Sequence, residues 1–70
     1  MDSGSAIVVN GAWRVLPPDR SLVTLLDSLS LRPEWVLVER NGAAIPREEY
    51  ASIVLAPGDR IELVTPMAGG

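Results

Sequence analysis

Cysteine, histidine and lysine are all missing from this 70-residue chain, and its net charge is only −3. Without cysteine there can be no disulfide. Without histidine or cysteine the usual general bases and nucleophiles are gone. Ser3, Ser5, Ser21, Ser28, Ser30 and Ser52 have no base partner in the pattern of the sequence. Glu48 and Glu49 are adjacent and point different ways, as on a solvated helical turn. No catalytic residue is assigned. A metal site would have to be built from carboxylates, which are scattered and form no Asp-x-Asp-x-Asp-Gly loop, so no metal ligand is assigned either. There is no glycine-rich phosphate loop, because Pro57-Gly58-Asp59-Arg60 is too short and reads as a turn. The chain is therefore expected to bind no cofactor by itself. Its negative charge argues against nucleic acid as a partner. Met1–Asn10 has no basic segment and no long apolar run, which fits neither a signal peptide nor a membrane anchor. A cytoplasmic protein is the expectation.

What remains is enough for one domain, 1–70, with a stability of about 3–5 kcal/mol. Asn10-Gly11 supplies two residues tolerant of positive φ, as a tight hairpin turn needs, so strands are predicted at Ala6–Val9 and Ala12–Leu16. Pro17-Pro18 ends the second strand. Leu22, Leu25, Leu26 and Leu29 fall on one helical face, predicting a helix near Ser21–Leu29 with a core-facing stripe. Ser21 or Asp19 is placed to cap it, and Pro33 bars its continuation. A strand at Val36–Glu39 leads to a second Asn-Gly turn, Asn41-Gly42, and a short strand, Ala43–Ile45, stopped by Pro46. Arg47–Tyr50 reads as one turn of helix. After the turn at Pro57-Gly58-Asp59, the last strand is Arg60–Thr65, with Ile61 and Leu63 on the buried face and Glu62 and Val64 facing out.

Two hairpins flanking one leucine-striped helix are best satisfied by laying the helix across one face of a mixed sheet of about five strands. That is an α+β β-grasp, or ubiquitin-like, roll, with the first and last strands parallel and side by side in its middle. Met1–Ser5 and Pro66–Gly70 read as loose ends. The second of them carries the chemistry. Gly69 and Gly70 have no Cβ, so this backbone can thread a narrow active site, and Pro66 to Gly70 reach about 16–18 Å when extended. The Gly70 carboxylate is inert until another protein activates it. Val64, with Met67 at the root of the tail, is the candidate docking patch.

The Val-x-Val-Glu-x-Asn-Gly run at Val36–Gly42, Ile-Pro-Arg-Glu at Ile45–Glu48, Gly-Asp-Arg-Ile-Glu at Gly58–Glu62 and the terminal Gly69-Gly70 carry a resemblance. The chain resembles the ThiS family, sulfur carrier proteins of thiamine thiazole biosynthesis. Members often have Trp where Tyr50 stands. The resemblance implies a carrier that is not itself an enzyme. A partner adenylating enzyme uses ATP to couple Gly70 to AMP, a sulfur donor protein supplies sulfur, and thiazole synthase takes it from the Gly70 thiocarboxylate. Pro66, Met67, Ala68 and Gly69 would thread the partners' active sites. The carrier alone is expected to be a monomer, with no membrane partner. Related β-grasp carriers serve molybdopterin, cysteine, methionine or secondary metabolites, and ubiquitin-like modifiers share the tail. The turn at Pro46–Glu48 favours the thiazole pathway.

Overall fold

The computed structural model describes residues 5–65, and the ends 1–4 and 66–70 lie outside the described residues. Five strands make one mixed sheet: β1 (Ala6–Val9), β2 (Ala12–Val15), β3 (Leu37–Arg40), β4 (Ala43–Ala44) and β5 (Arg60–Val64). Their order is β2-β1-β5-β3-β4. β1 and β5 run parallel, with Val8 beside Arg60 and Val9 beside Ile61. β3 lies antiparallel on the other side of β5, with Leu37 opposite Val64 and Val38 opposite Leu63. The predicted β-grasp roll, with first and last strands adjacent, is the observed fold.

Helix α1 (Leu22–Ser28) buries Leu22, Leu25 and Leu26 in the core, with Leu29 packed at its margin. Ser21 is the cap, and Asp19 braces it without capping a helical N–H itself. Ser21 Oγ accepts from the Thr24 N–H at 3.2 Å, while Asp19 accepts from the Ser21 N–H at 3.0 Å and the Thr24 hydroxyl at 2.8 Å. The helix stops before Pro33 is reached. Ser30 adopts φ 60°, its N–H donates to the Asp27 carbonyl, and the Leu31 N–H donates to the Leu26 carbonyl. This pair of bonds closes the last turn in the manner usually built on glycine.

The two Asn-Gly turns have positive φ at all four residues, as a tight twisted hairpin requires. Their asparagine side chains do more than bend the chain. Asn10 Oδ1 accepts from the Leu63 N–H at 2.7 Å and its Nδ2 donates to the Leu63 carbonyl at 3.2 Å. Asn41 Oδ1 accepts from the Arg60 N–H at 2.9 Å. Each turn therefore grips β5, one near its start and one near its end.

β2, β4 and β5 each end one residue before the sequence expectation, at Val15, Ala44 and Val64, and α1 is one residue shorter at each end. Two other segments differ in kind. β3 begins at Leu37 rather than Val36, because Pro33–Trp35 forms a 3-10 turn whose last bond runs from the Val36 N–H to the Pro33 carbonyl. The helical turn after Pro46 extends over Arg47–Ser52 and is 3-10 in geometry. Here the Pro-Arg-Glu motif has a structural task. Arg47 donates to the carbonyls of Pro33 at 3.1 Å and Val36 at 3.4 Å. Tyr50 is buried, and its hydroxyl donates to the Val36 carbonyl at 2.9 Å while accepting from the Val38 N–H at 3.1 Å. The phenol thus stands in for a strand where β4 has ended. An indole N–H could donate only.

The turn at Pro57-Gly58 has φ 84° at Gly58 and is closed by the Asp59 N–H on the Ala56 carbonyl. Asp59 is buried. Burial pushes its carboxyl up, but the Ala56 N–H at 2.8 Å, the Asn41 amide at 3.1 Å and the Arg40 guanidinium at 2.9 Å together hold it below the ordinary aspartate value.

Two outcomes test this account. Tyr50→Phe keeps the ring but leaves the buried Val38 N–H unpaired and the Val36 carbonyl with only its 3.4 Å bond from Arg47, so it should cost roughly 1–3 kcal/mol in denaturant melts. Replacement by Phe with no loss of stability would mean that the hydroxyl is dispensable. Asp59 has a lowered folded pKa, so its contribution is present above the ordinary value of 3.8 and is lost as pH falls through the folded value. Asp59→Asn should therefore be less stable than wild type at neutral pH, and the gap should narrow below that value. A gap constant across acid and neutral melts would contradict the ion pair's role.

Candidate functional site

Everything that the sequence assigns to chemistry lies beyond β5. Gly70, with Pro66, Met67, Ala68 and Gly69, falls outside the described residues. The structure does describe the root from which that segment departs. β5 is the central strand of the sheet, so Val64 and Thr65 emerge from the best-supported part of the domain.

Val64 faces away from the helix, as the alternation of β5 requires, and is 53% exposed. Its cross-strand partner Leu37 is also 53% exposed. Residues opposed in this way have Cβ atoms about 5 Å apart, so the two form one apolar step. Trp35 is exposed two residues before Leu37. Sequence reading missed both. The signal was there, since Leu37 sits between buried Val36 and Val38 and so must point outward.

Next along the same face, Glu39 of β3 lies directly opposite Glu62 of β5, and both are exposed. Like charges in this position oppose pairing. The ion pair between Arg40 and Asp59 is the one salt bridge among the described residues, so neither glutamate is neutralised by a bridge within them. The outer surface at the root of the tail is thus an apolar step beside an uncompensated acidic pair. Trp13 and Val15 of β2 add exposed apolar area at the far edge of the sheet.

Among the described residues no group of three or more acidic side chains could hold a metal ion. None of their helices is long and apolar enough to cross a membrane.

Comparison with known proteins gives a consistent result. The ThiS family model matches residues 5–70, which includes the terminal glycines. The solved structure of a thiamine biosynthesis protein (ThiS) from Geobacter metallireducens superposes with a TM-score of 0.74 at 29% identity, covering 93% of this chain and 99% of that one. Two curated proteins named thiazole synthase are also similar. The one from Paramagnetospirillum magneticum is 33% identical and the one from Magnetococcus marinus 39% identical, each over 64 residues, or 91% of this chain. The chain spans one fifth of the length of those relatives. A match that runs over nearly the whole chain, on the same fold and through Gly69-Gly70, makes this chain a member of the ThiS family, the family its motifs resemble.

Proposed function

We propose that this protein carries sulfur for thiamine biosynthesis on the carboxyl carbon of Gly70. The observation that carries this reading is the family match extending through Gly70 on a domain whose central strand leads to that residue. A Gly70 carboxylate oxygen attacks the α-phosphorus of ATP in a partner adenylating enzyme, and pyrophosphate leaves. Sulfide released at a donor protein then attacks the Gly70 carbonyl carbon, AMP leaves with the electrons of the C–O bond, and a thiocarboxylate remains. The carrier contributes no acid or base. It contributes a tail whose last three residues, Ala68, Gly69 and Gly70, carry no bulky side chain, and a body that docks.

The acceptor is a thiazole synthase. The likeness of this chain to one fifth of two proteins of that name supports this choice over a molybdopterin or amino-acid pathway. Those relatives combine a segment like this one with a longer polypeptide bearing the synthase name.

Docking uses Val64, Leu37 and Met67. Any enzyme that acts on Gly70 must come within about 16–18 Å of Thr65, the reach of five extended residues. The apolar step at Val64 and Leu37 is then among the first surfaces covered. Glu39 and Glu62 beside it call for basic groups on the partner.

Deletion of Gly70 should abolish ATP–pyrophosphate exchange with the adenylating enzyme while the circular dichroism spectrum is unchanged. With ATP, that enzyme and a sulfide source, the intact chain should gain the mass of one oxygen replaced by sulfur. Full exchange activity in the deletion variant would refute the carrier reading. Val64→Asp should weaken binding to the same enzyme by more than about 1 kcal/mol by calorimetry. Unchanged affinity would return Val64 to ordinary surface.

A further inference from the structure

The opposite side of the β5 terminus holds a feature that docking and activation do not use. On the helix side of the sheet a cleft of about 440 Å³ opens between the β1–β2 hairpin and the end of α1. Val9, Leu29, Leu31 and Leu63 give it an apolar lining, and Arg14 and Thr65 also line it. Its volume is that of a small-ligand pocket, about 300–1,000 Å³. Arg14 sits opposite the buried Ile7 in the β1–β2 register, which sets it on the helix side. Among the described residues its exposed side chain makes no hydrogen bond and no ion pair, while its backbone stays in the β1–β2 ladder.

Thr65 is the last described residue, and it lines the cleft. The five residues that follow bring one large apolar side chain, Met67, then small Ala68 and Gly69, then the Gly70 carboxylate. They reach about 16–18 Å when extended, more than the span of a cleft of this size. Apolar lining, unpaired guanidinium and entry point thus match the order apolar side chain, then anion. A guanidinium binds a carboxylate through paired N–H donors, which an ammonium cannot reproduce.

We propose that the cleft is a seat for the chain's own last residues, with Met67 against Leu29, Leu31 and Leu63 and the Gly70 carboxylate on Arg14. The proposal rests on the reading of Gly70 as the reactive terminus. The seat is weak and reversible. A seated tail withholds its terminus until a partner draws it out, so docking on the outer face and delivery of the tail become separate events.

The test uses methyl-resolved NMR on the full chain without any enzyme. Truncation after Thr65 is expected to shift the methyl signals of Leu29, Leu31 and Leu63 and to leave Leu22 and Leu55, deep in the core, unmoved. Arg14→Gln and Met67→Ser, each checked for folding by circular dichroism, should shrink the tail-dependent shift several-fold. The shift should not change on dilution. Floor methyls indifferent to truncation would overturn the proposal. So would a shift insensitive to Arg14→Gln, or one that fades on dilution, which would assign the seat to a second copy's tail. No activation step enters this measurement, so its failure leaves the carrier reading standing. Failure of pyrophosphate exchange would in turn leave the seat untouched.

Discussion

Two asparagine side chains hold this domain in register. Asn10 and Asn41 each sit at the first position of a tight turn, and each reaches across to the backbone of β5, at Leu63 and Arg60. A seven-residue helix and a two-residue fourth strand leave little regular structure to fix a sheet. A slip of one residue in β5 would carry Ile61 and Leu63 out of the core and bring Glu62 and Val64 in. The asparagines oppose that slip with hydrogen bonds specific to one alignment. Which face Val64 takes, and where the chain leaves the sheet, both depend on it.

The same economy recurs at the other connections. Tyr50 substitutes for strand backbone with a hydroxyl, Arg47 ties the Pro33–Trp35 turn to the segment after Pro46, and Asp59 joins the Pro57-Gly58 turn to the second hairpin. The conspicuous motifs of the sequence, Pro-Arg-Glu and Gly-Asp-Arg, thus include residues that join segments distant in the chain. Among the described residues no buried side-chain polar atom lacks a partner, which a core this small can ill spare.

Much of this was legible in the sequence, and for identifiable reasons. Asn-Gly pairs announce their turns because few other residues tolerate positive φ in succession. The leucine stripe announces its helix because the 3.6-residue period is local. The start of β3 was misplaced by one residue because a 3-10 turn at Pro33–Trp35 has no period of its own. Pro33 sets only the outer limit of the helix, whereas Ser30 in a left-handed conformation supplies its end. Leu37 was passed over because a run of apolar residues hides the alternation that sends it outward. The cleft could not be foreseen, since Val9, Arg14, Leu31 and Leu63 meet only after the chain has closed on itself. Gly70 was singled out by chemistry and resemblance, since no local pattern assigns a role to a carboxylate.

The placement of β5 between a parallel and an antiparallel neighbour has a mechanical consequence. A partner that draws the C-terminal segment into a tunnel pulls along the axis of this strand. The ladder bonds to β1 and β3 lie across that axis, so the load falls on both ladders in shear rather than opening them one bond at a time. An edge strand pulled in the same way would have one ladder to carry the load instead of two. The domain therefore behaves under tension as an anchor block, and work done on the tail moves the body toward the partner instead of unravelling it.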